Sequence, residues 1–301
     1  MKIVFVASGD IAIPSFRWLL DAPGVEVAAL VTQPDRPSGR GLKLKPSLLK
    51  QLAIDRGIPV LQPEKIRVAT PELSTLQPDL LVVMAYGQIL PQAVLDIPRL
   101  GALNLHASLL PRHRGASPVH AAILAGDSMS GVTVMWMDAG MDTGDILLAR
   151  ECVIGPEETA GSLHDKLAVL APQALSAGLD LISRDDAPHI PQDAALATYA
   201  PKLGRGMGTV HWSMPAGEIA LRIRGLHPWP GCTTEVVLDD GSRVLLKIHR
   251  AKIAAGAPEP CRLRFACGGG GVLELLEVQP AGGKRMTSDD FVRGHRVVRA
   301  L

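Results

Sequence analysis

The sequence predicts two domains in tandem, a doubly wound α/β domain with a mostly parallel sheet and then a small antiparallel β-barrel. Three observations carry this expectation. Short apolar runs alternate with helical periodicity as far as Ser183; a stretch rich in Pro, Gly and Ala covers Asp185 to Gly208; and beyond Val210 the runs turn β-rich, divided by Asp-Asp-Gly and by the glycines Gly268 to Gly271. A chain of 301 residues has room for both cores.

Taken in order, strands are expected at residues 2–7, 25–32, 79–84, 102–106 and 131–137. Between them, residues 14–20, 47–56, 118–125 and, most clearly, 162–183 repeat apolar side chains every three or four positions, as helices do. The alternation is Rossmann-like. In the second half, strands are expected at 233–238, 243–253, 261–266 and 272–278, forming an OB-like barrel. The boundaries that follow are residues 1–186 for the first domain, 187–207 for a surface linker and 208–301 for the barrel.

Composition excludes several classes. A hydrophobic fraction of 47% and a charged fraction of 20% describe a globular chain, neither disordered nor disulfide-rich. Met1-Lys2 followed by Ile3-Val4-Phe5-Val6 is too short an apolar run for a secretory signal. Gly, Pro and charge interrupt every longer run before it reaches the roughly 18 apolar residues of a membrane span. Cys152, Cys232, Cys261 and Cys267 form no Cys-x-x-Cys pair and suit reduced thiols. A cytoplasmic monomer without a membrane segment is expected, and no metal, because no His, Cys and carboxylate cluster has ligand spacing. The net charge of +1 hides an asymmetry: after Gly204, 14 Lys and Arg face 9 Asp and Glu, whereas before it 17 face 21. A basic second half suits a polyanionic partner, since Lys and Arg displace counterions from phosphates, and it also suits a solvated surface.

The first turn, Ser8-Gly9-Asp10, lacks Gly-x-Gly-x-x-Gly, which argues against a nicotinamide cofactor. In a doubly wound sheet, ligands bind beyond the carboxyl ends of the strands, and the strand at 102–106 ends on Asn104 and His106. Two positions apart, these side chains share one face while Leu103 and Leu105 take the other. An amide donor beside an imidazole can hold a carbonyl oxygen as it becomes an oxyanion, the electrostatic requirement of acyl transfer. Taken alone, the pair also fits two satisfied polar residues at a strand end. Ser108-Leu109-Leu110-Pro111-Arg112-His113-Arg114-Gly115 follows, with restricted backbone and an apolar pair suited to lining a pocket. Farther on, Asp138, Asp142 and Asp145 lie on a Gly-punctuated loop between strands, where one of them is placed to hydrogen-bond the His106 ring and keep it charged. Trp212 and Trp229 read as packing elements, and His113, His120 and His164 as surface or structural residues.

Asn104-x-His106, the Ser108-Leu-Leu-Pro-x-x-Arg-Gly115 run and Asp142 together resemble the shared active-site motif of 10-formyltetrahydrofolate-dependent formyltransferases. The resemblance implies catalytic roles for Asn104, His106 and Asp142, and contacts to reduced folate from Ser108, Leu109, Leu110 and Pro111. Further segments, Thr32 to Gly41, Ala85 to Pro91, Pro228-Trp-Pro230 and Leu276 to Lys284, are similar to the branch of that family acting on initiator methionyl-tRNA, so that the likeness spans nearly the whole chain. By that likeness Tyr86 and Gly87 join the folate contacts. Arg36, Arg40, Lys43 and Lys45 fall in or beside the segment that matches a loop which, in that family, meets the acceptor end of the tRNA, and a cationic Pro- and Gly-rich loop is chemically suited to phosphates. Two departures stand out. Ala7-Ser8-Gly9 replaces the family's usual Gly-Thr-Pro, and Gly204-Arg-Gly-Met-Gly208 replaces an acidic stretch.

Three other readings share some of these features. A formyltransferase acting on a small amine would have the same catalytic set but no evident use for a basic barrel and a cationic loop. A hydrolase that releases formate would be exposed by formate release without tRNA. A non-catalytic RNA-binding protein would have no need for intact Asn104, His106 and Asp142.

Overall fold

The structure is a computed structural model and describes residues 1–38, 43–44 and 46–301. β1 (Lys2–Ala7) is an apolar run because both of its faces are covered. Val4 and Val6 enter the core on one side, while Phe5 on the other stacks on Phe16 of α1 (Ile13–Asp21), with ring centroids 5.3 Å apart. α1 carries Pro14 in its first turn, where the missing N–H costs nothing, and delivers the chain to β2 (Glu26–Val31), parallel to β1. The short strands β3 (Pro37–Ser38) and β4 (Lys43–Leu44) pair antiparallel. α2 (Leu48–Asp55) is capped by the Ser47 hydroxyl, which accepts the Lys50 N–H, and leads to β5 (Val60–Leu61) beside β2. α3 (Thr70–Leu76), β6 (Leu80–Met84), α4 (Gln92–Leu95) and β7 (Ala102–His106) continue the parallel pattern.

Beyond β7 come the short β8 (Arg114–Gly115), α5 (Pro118–Leu124), and the antiparallel pair β9 (Met129–Trp136) and β10 (Ile146–Val153). Among the described residues seven strands form this sheet, in the order β10-β9-β7-β6-β1-β2-β5. It is mostly parallel, as expected, and antiparallel from β7 to β10. The sequence pattern did not announce β10, because an edge strand with little more than Leu147 buried carries no apolar alternation. The long α6 (Ala160–Ser183) buries Leu167, Ala171, Ala174, Leu175 and Leu179, a helical stripe. The carboxyl ends of β1, β2, β6 and β7 lie along one edge of the sheet, where such folds place their ligands. β11 (Tyr199–Ala200) pairs in parallel with β8.

The second sheet follows α7 (Ala216–Gly225). It contains β12 (Cys232–Leu238), β13 (Arg243–Ala254), β14 (Arg264–Ala266), β15 (Val272–Pro280) and β16 (Met286–Thr287), and after α8 (Ser288–Gly294) it closes with β17 (Val297–Ala300). All pairings are antiparallel in the order β14-β15-β13-β12-β17, with β16 on β15. The turn Pro260–Arg262 packs against β17, so the path nearly closes into the expected barrel. Its interior holds Val236, Leu246, Ile248, Leu275 and Val278, covered by Ile219 and Ile223 of α7 and by Phe291 of α8. Two details differ from expectation. The strand expected at 261–266 begins only at Arg264, since Leu263 has φ +53° and closes a 3-10 turn. Trp212 packs as expected, 4.8 Å from the Phe265 ring with its Nε1 donating to Thr234 Oγ1, whereas Trp229 is half exposed. Phe291 is fully buried, and Phe291→Ala is expected to destabilise this core by about 3–5 kcal/mol, read as a lower denaturant midpoint.

The chain divides into two compact units. One comprises Met1–Pro118, Met129–Val153 and His164–Ala200, the other Val119–Ser128, Ile154–Leu163 and Pro201–Leu301.

Candidate active site

β7 lies between β6 and β9, which holds its carboxyl end in register: Asn104 stands opposite Val83 and Met135, and His106 opposite Thr133. Leu103 and Leu105 are buried, and Asn104 shares the other face with His106. Thr133 is fully buried and bonded on both sides. Its hydroxyl donates to the Ser108 carbonyl at 2.7 Å and accepts the Leu110 N–H at 3.1 Å. With Ser108 Oγ donating to the Arg112 carbonyl at 2.7 Å, the Ser108–Pro111 turn is fixed from within the protein.

The structure brings Asn104, His106 and Asp142 together. Asn104 Nδ2 donates to Asp142 Oδ1 at 3.3 Å, and Asp142 Oδ2 accepts the Gly115 N–H at 2.7 Å. His106 Nδ1 lies 3.7 Å from Asp142 Oδ2, with the two side chains only 6% and 16% exposed, an ion-pair distance rather than a hydrogen bond. His106 Nε2 lies 2.9 Å from the His113 carbonyl oxygen. A carbonyl can only accept, so Nε2 carries a hydrogen, and any further proton on the ring sits at Nδ1, facing Asp142. His113, expected at the surface or in a structural role, is buried, and its backbone orients the candidate catalytic ring.

Of the three loop carboxylates, Asp142 is the one that faces His106. Asp138 is occupied within its own turn, where Oδ1 accepts the Gly140 N–H at 3.0 Å and the Thr143 hydroxyl at 2.8 Å. Asp145 lies 3.5 Å from His189 Nδ1. Asp142 adopts φ +54°, a region that side chains rarely occupy. Gly115, which holds its carboxylate, has φ +116°, and a Cβ there would stand 2.7 Å from the Ala200 carbonyl oxygen. Gly115→Ala is therefore expected to cost about 1–3 kcal/mol of stability and to lower turnover, both checked by thermal melting beside an activity assay.

A cleft of about 490 Å³ opens near the carboxyl ends of β2 and β6, lined by Gln33, Arg36, Glu64, Lys65, Tyr86, Gly87 and Gln88. Tyr86 and Gly87, expected on folate, thus share a cleft with Arg36, expected on tRNA, while Ser108, Leu109, Leu110 and Pro111 are not among its walls. Burial pushes the Tyr86 pKa up to about 12, and its hydroxyl is buried with no hydrogen-bond partner among the described residues. Nearby, Lys50 and Gln62 hold the Asp35 carboxyl below the usual carboxylate range, which anchors the chain just before Arg36. Arg40 and Lys45 lie outside the described residues, and for Lys43 only the backbone, in β4, is described. The altered first turn is built in: Ser8 Oγ accepts the Gln33 N–H at 2.9 Å and meets Thr32 Oγ1 at 3.3 Å, joining the ends of β1 and β2. Among the described residues no three His, Cys, Asp or Glu side chains gather to hold a metal, and no helix is long and apolar enough to cross a membrane.

Sequence reasoning missed Thr133, Gln192 and Thr198. Gln192 Nε2 donates to the carbonyls of Asp142 and Gly144, and Thr198 Oγ1 accepts the His113 N–H at 2.9 Å. No pattern marks them, since a Thr in an apolar strand and two polar residues in a linker-like stretch are both ordinary.

A doubly wound sheet with this polar cluster at a strand end, followed by a barrel, matches a recognisable class. The formyl transferase family profile matches residues 1–179, and that of the formyl transferase C-terminal domain matches residues 202–296. The chain belongs to the formyl transferase family and is an enzyme of formyl transfer. Over 306 residues it is 47% identical to the methionyl-tRNA formyltransferase of Stutzerimonas stutzeri, covering 98% of this chain and 95% of the relative. Over 309 residues it is 45% identical to the methionyl-tRNA formyltransferase of Moorella thermoacetica, covering 99% and 97%. The fold is similar to the crystal structure of an N-formyltransferase from Helicobacter canadensis in complex with folinic acid and dTDP-3-aminofucose, with a TM-score of 0.68 at 18% identity over 91% of this chain and 98% of that one.

Proposed function

We propose that the chain transfers the formyl group of 10-formyltetrahydrofolate to the α-amino group of initiator methionyl-tRNA, giving N-formylmethionyl-tRNA for translation initiation. The observation that carries this reading is the convergence of Asn104, His106 and Asp142 at the carboxyl end of β7, in a chain similar along nearly its whole length to methionyl-tRNA formyltransferases. The formyl donor is consumed in each turnover and so is a substrate rather than a resident group.

The proposed chemistry is direct acyl transfer. The neutral α-amine attacks the formyl carbon, the carbonyl oxygen takes the electron pair, and the bond to N10 breaks as the oxyanion collapses. Asn104 donates to the formyl oxygen as charge develops, and protonated His106 adds a positive charge beside it. Because His113 holds Nε2, the proton that His106 can give to N10 is the one at Nδ1. Asp142 sets its carboxylate opposite that ring and receives the proton that the attacking amine gives up. Ser108, Leu109, Leu110 and Pro111 are assigned to folate together with Tyr86 and Gly87. The Tyr86 hydroxyl, buried without a hydrogen-bond partner among the described residues, supports that assignment, since it is a donor to which a ligand can supply an acceptor.

Arg36, Arg40, Lys43 and Lys45 are assigned to the acceptor end of the tRNA, and the barrel domain at 208–301 to its phosphates, with the reaction running in the cytoplasm on a monomer without a metal. Arg40→Ala is expected to reduce formylation of charged tRNA about tenfold while leaving folate affinity unchanged, measured by steady-state formylation beside equilibrium folate binding. The function itself is tested with 10-formyltetrahydrofolate and three acceptors, charged initiator tRNA, charged elongator tRNA and free methionine. N-formylmethionine recovered from the initiator tRNA is the expected result. Formylation of free methionine with no response to tRNA would favour a small-amine formyltransferase.

A further inference from the structure

The stretch after α6, which the sequence presents as a linker, places one side chain between the two segments that carry the candidate catalytic groups. Gln192 Nε2 donates to the Asp142 carbonyl at 2.9 Å and to the Gly144 carbonyl at 2.7 Å. Its Oε1 accepts from Arg114 Nε at 3.1 Å and from Arg114 Nη2 at 2.7 Å. A primary amide has two donor hydrogens and two acceptor lone pairs, and all of them are used here.

Both ends of this bridge matter to the site. Arg114 is buried, and it stands between His113, whose carbonyl holds His106 Nε2, and Gly115, whose N–H holds Asp142 Oδ2. At the other end, Asp142 is in the left-handed region, which a non-glycine residue keeps only when its surroundings impose it. Gly144 is equally constrained, since a Cβ there would stand 1.9 Å from the Trp136 carbonyl oxygen. Further bonds fasten the bridge: the His113 N–H to Thr198 Oγ1, the Arg114 N–H to the Thr198 carbonyl, and Trp136 Nε1 to the Pro188 carbonyl.

We propose that Gln192 is a positioning residue for formyl transfer: it ties the backbone of Asp142 and Gly144 to Arg114 and thereby holds the Asp142 carboxylate against His106 and Asn104. This rests on the assignment of Asp142 and His106 to the chemistry. Gln192→Glu is the informative substitution because it keeps size and the acceptor for Arg114. It replaces the two N–H donors with an oxygen facing two carbonyl oxygens, so the loop must move away.

The test compares wild type, Gln192→Glu, Gln192→Ala, Asp142→Asn and the double variant Gln192→Ala with Asp142→Asn. Steady-state formylation is measured with thermal melting and hydrogen exchange at the Gly115 amide. Both Gln192 variants are expected to lose about 10²-fold in kcat, the scale of a misplaced catalytic group, with KM for folate and tRNA within about threefold of wild type. The double variant is expected to be no slower than Asp142→Asn, and the Gly115 amide to exchange faster once Gln192 is lost. A near-wild-type kcat in Gln192→Glu, or losses that multiply in the double variant, would overturn the proposal. If wild type transfers no formyl group, the functional reading fails separately, and the Gly115 amide decides: faster exchange in Gln192→Glu supports the bridge, and unchanged exchange refutes it.

Discussion

His106→Ala is expected to slow formyl transfer about 10²–10³-fold, the usual consequence of removing a group that stabilises an oxyanion, and Asn104→Ala is expected to do the same. Both side chains stand at the end of a strand whose register is fixed by β6 and β9, and neither fills the apolar core, so the fold should survive. The two losses should differ in kind. Asn104 supplies a neutral donor, whereas His106 supplies a charge and a transferable proton at Nδ1 while its Nε2 stays on the His113 carbonyl. A leaving group that needs no protonation should therefore rescue His106→Ala but not Asn104→Ala. Single-turnover formylation with each variant, beside melting curves, checks both. Turnover near that of wild type in either variant would remove that residue from the mechanism.

Asp142→Asn has the second-largest expected effect, a loss of about 10²-fold or more. The carboxylate accepts from Asn104 Nδ2 and from the Gly115 N–H, and it faces His106 Nδ1. An asparagine has one acceptor oxygen. Its NH2 must then meet either the Asn104 donor or the Gly115 donor, so one bond becomes a repulsion and the charge opposite His106 is lost. Substrate affinity should change little, because Asp142 is assigned to proton transfer from the attacking amine and not to holding either substrate. The measurement is kcat against KM for both substrates, and a change confined to KM would assign Asp142 to binding instead.

Much of this was legible because it depends on side-chain type and spacing. The alternation of apolar runs located β1, β2, β6 and β7, and the two-residue spacing of Asn104 and His106 put both on the polar face of a strand end. The Gly-flanked aspartates marked a loop, but their spacing did not say which carboxylate faces His106, and it was the family likeness that singled out Asp142. That choice is made by Gly115 and by the turn that occupies Asp138. The site contacts that stayed hidden share one cause. The His113 carbonyl, the Thr133 hydroxyl and Gln192 act through backbone groups of residues distant in sequence, and backbone bonding leaves no residue-type signature. The helices α7 and α8 were missed for a different reason. Each is short, and Ile219, Ile223 and Phe291 offer too few apolar repeats to stand out beside the strands they cover.

The most direct test follows the formyl group itself. Wild-type protein is mixed with formyl-labelled 10-formyltetrahydrofolate and charged initiator tRNA in single-turnover rapid quench, and the label is followed in folate, protein, formate and tRNA. The account predicts that label leaves the folate and appears on methionyl-tRNA at one shared rate, with none bound to the protein. Label released as formate, or none reaching the tRNA, would contradict it.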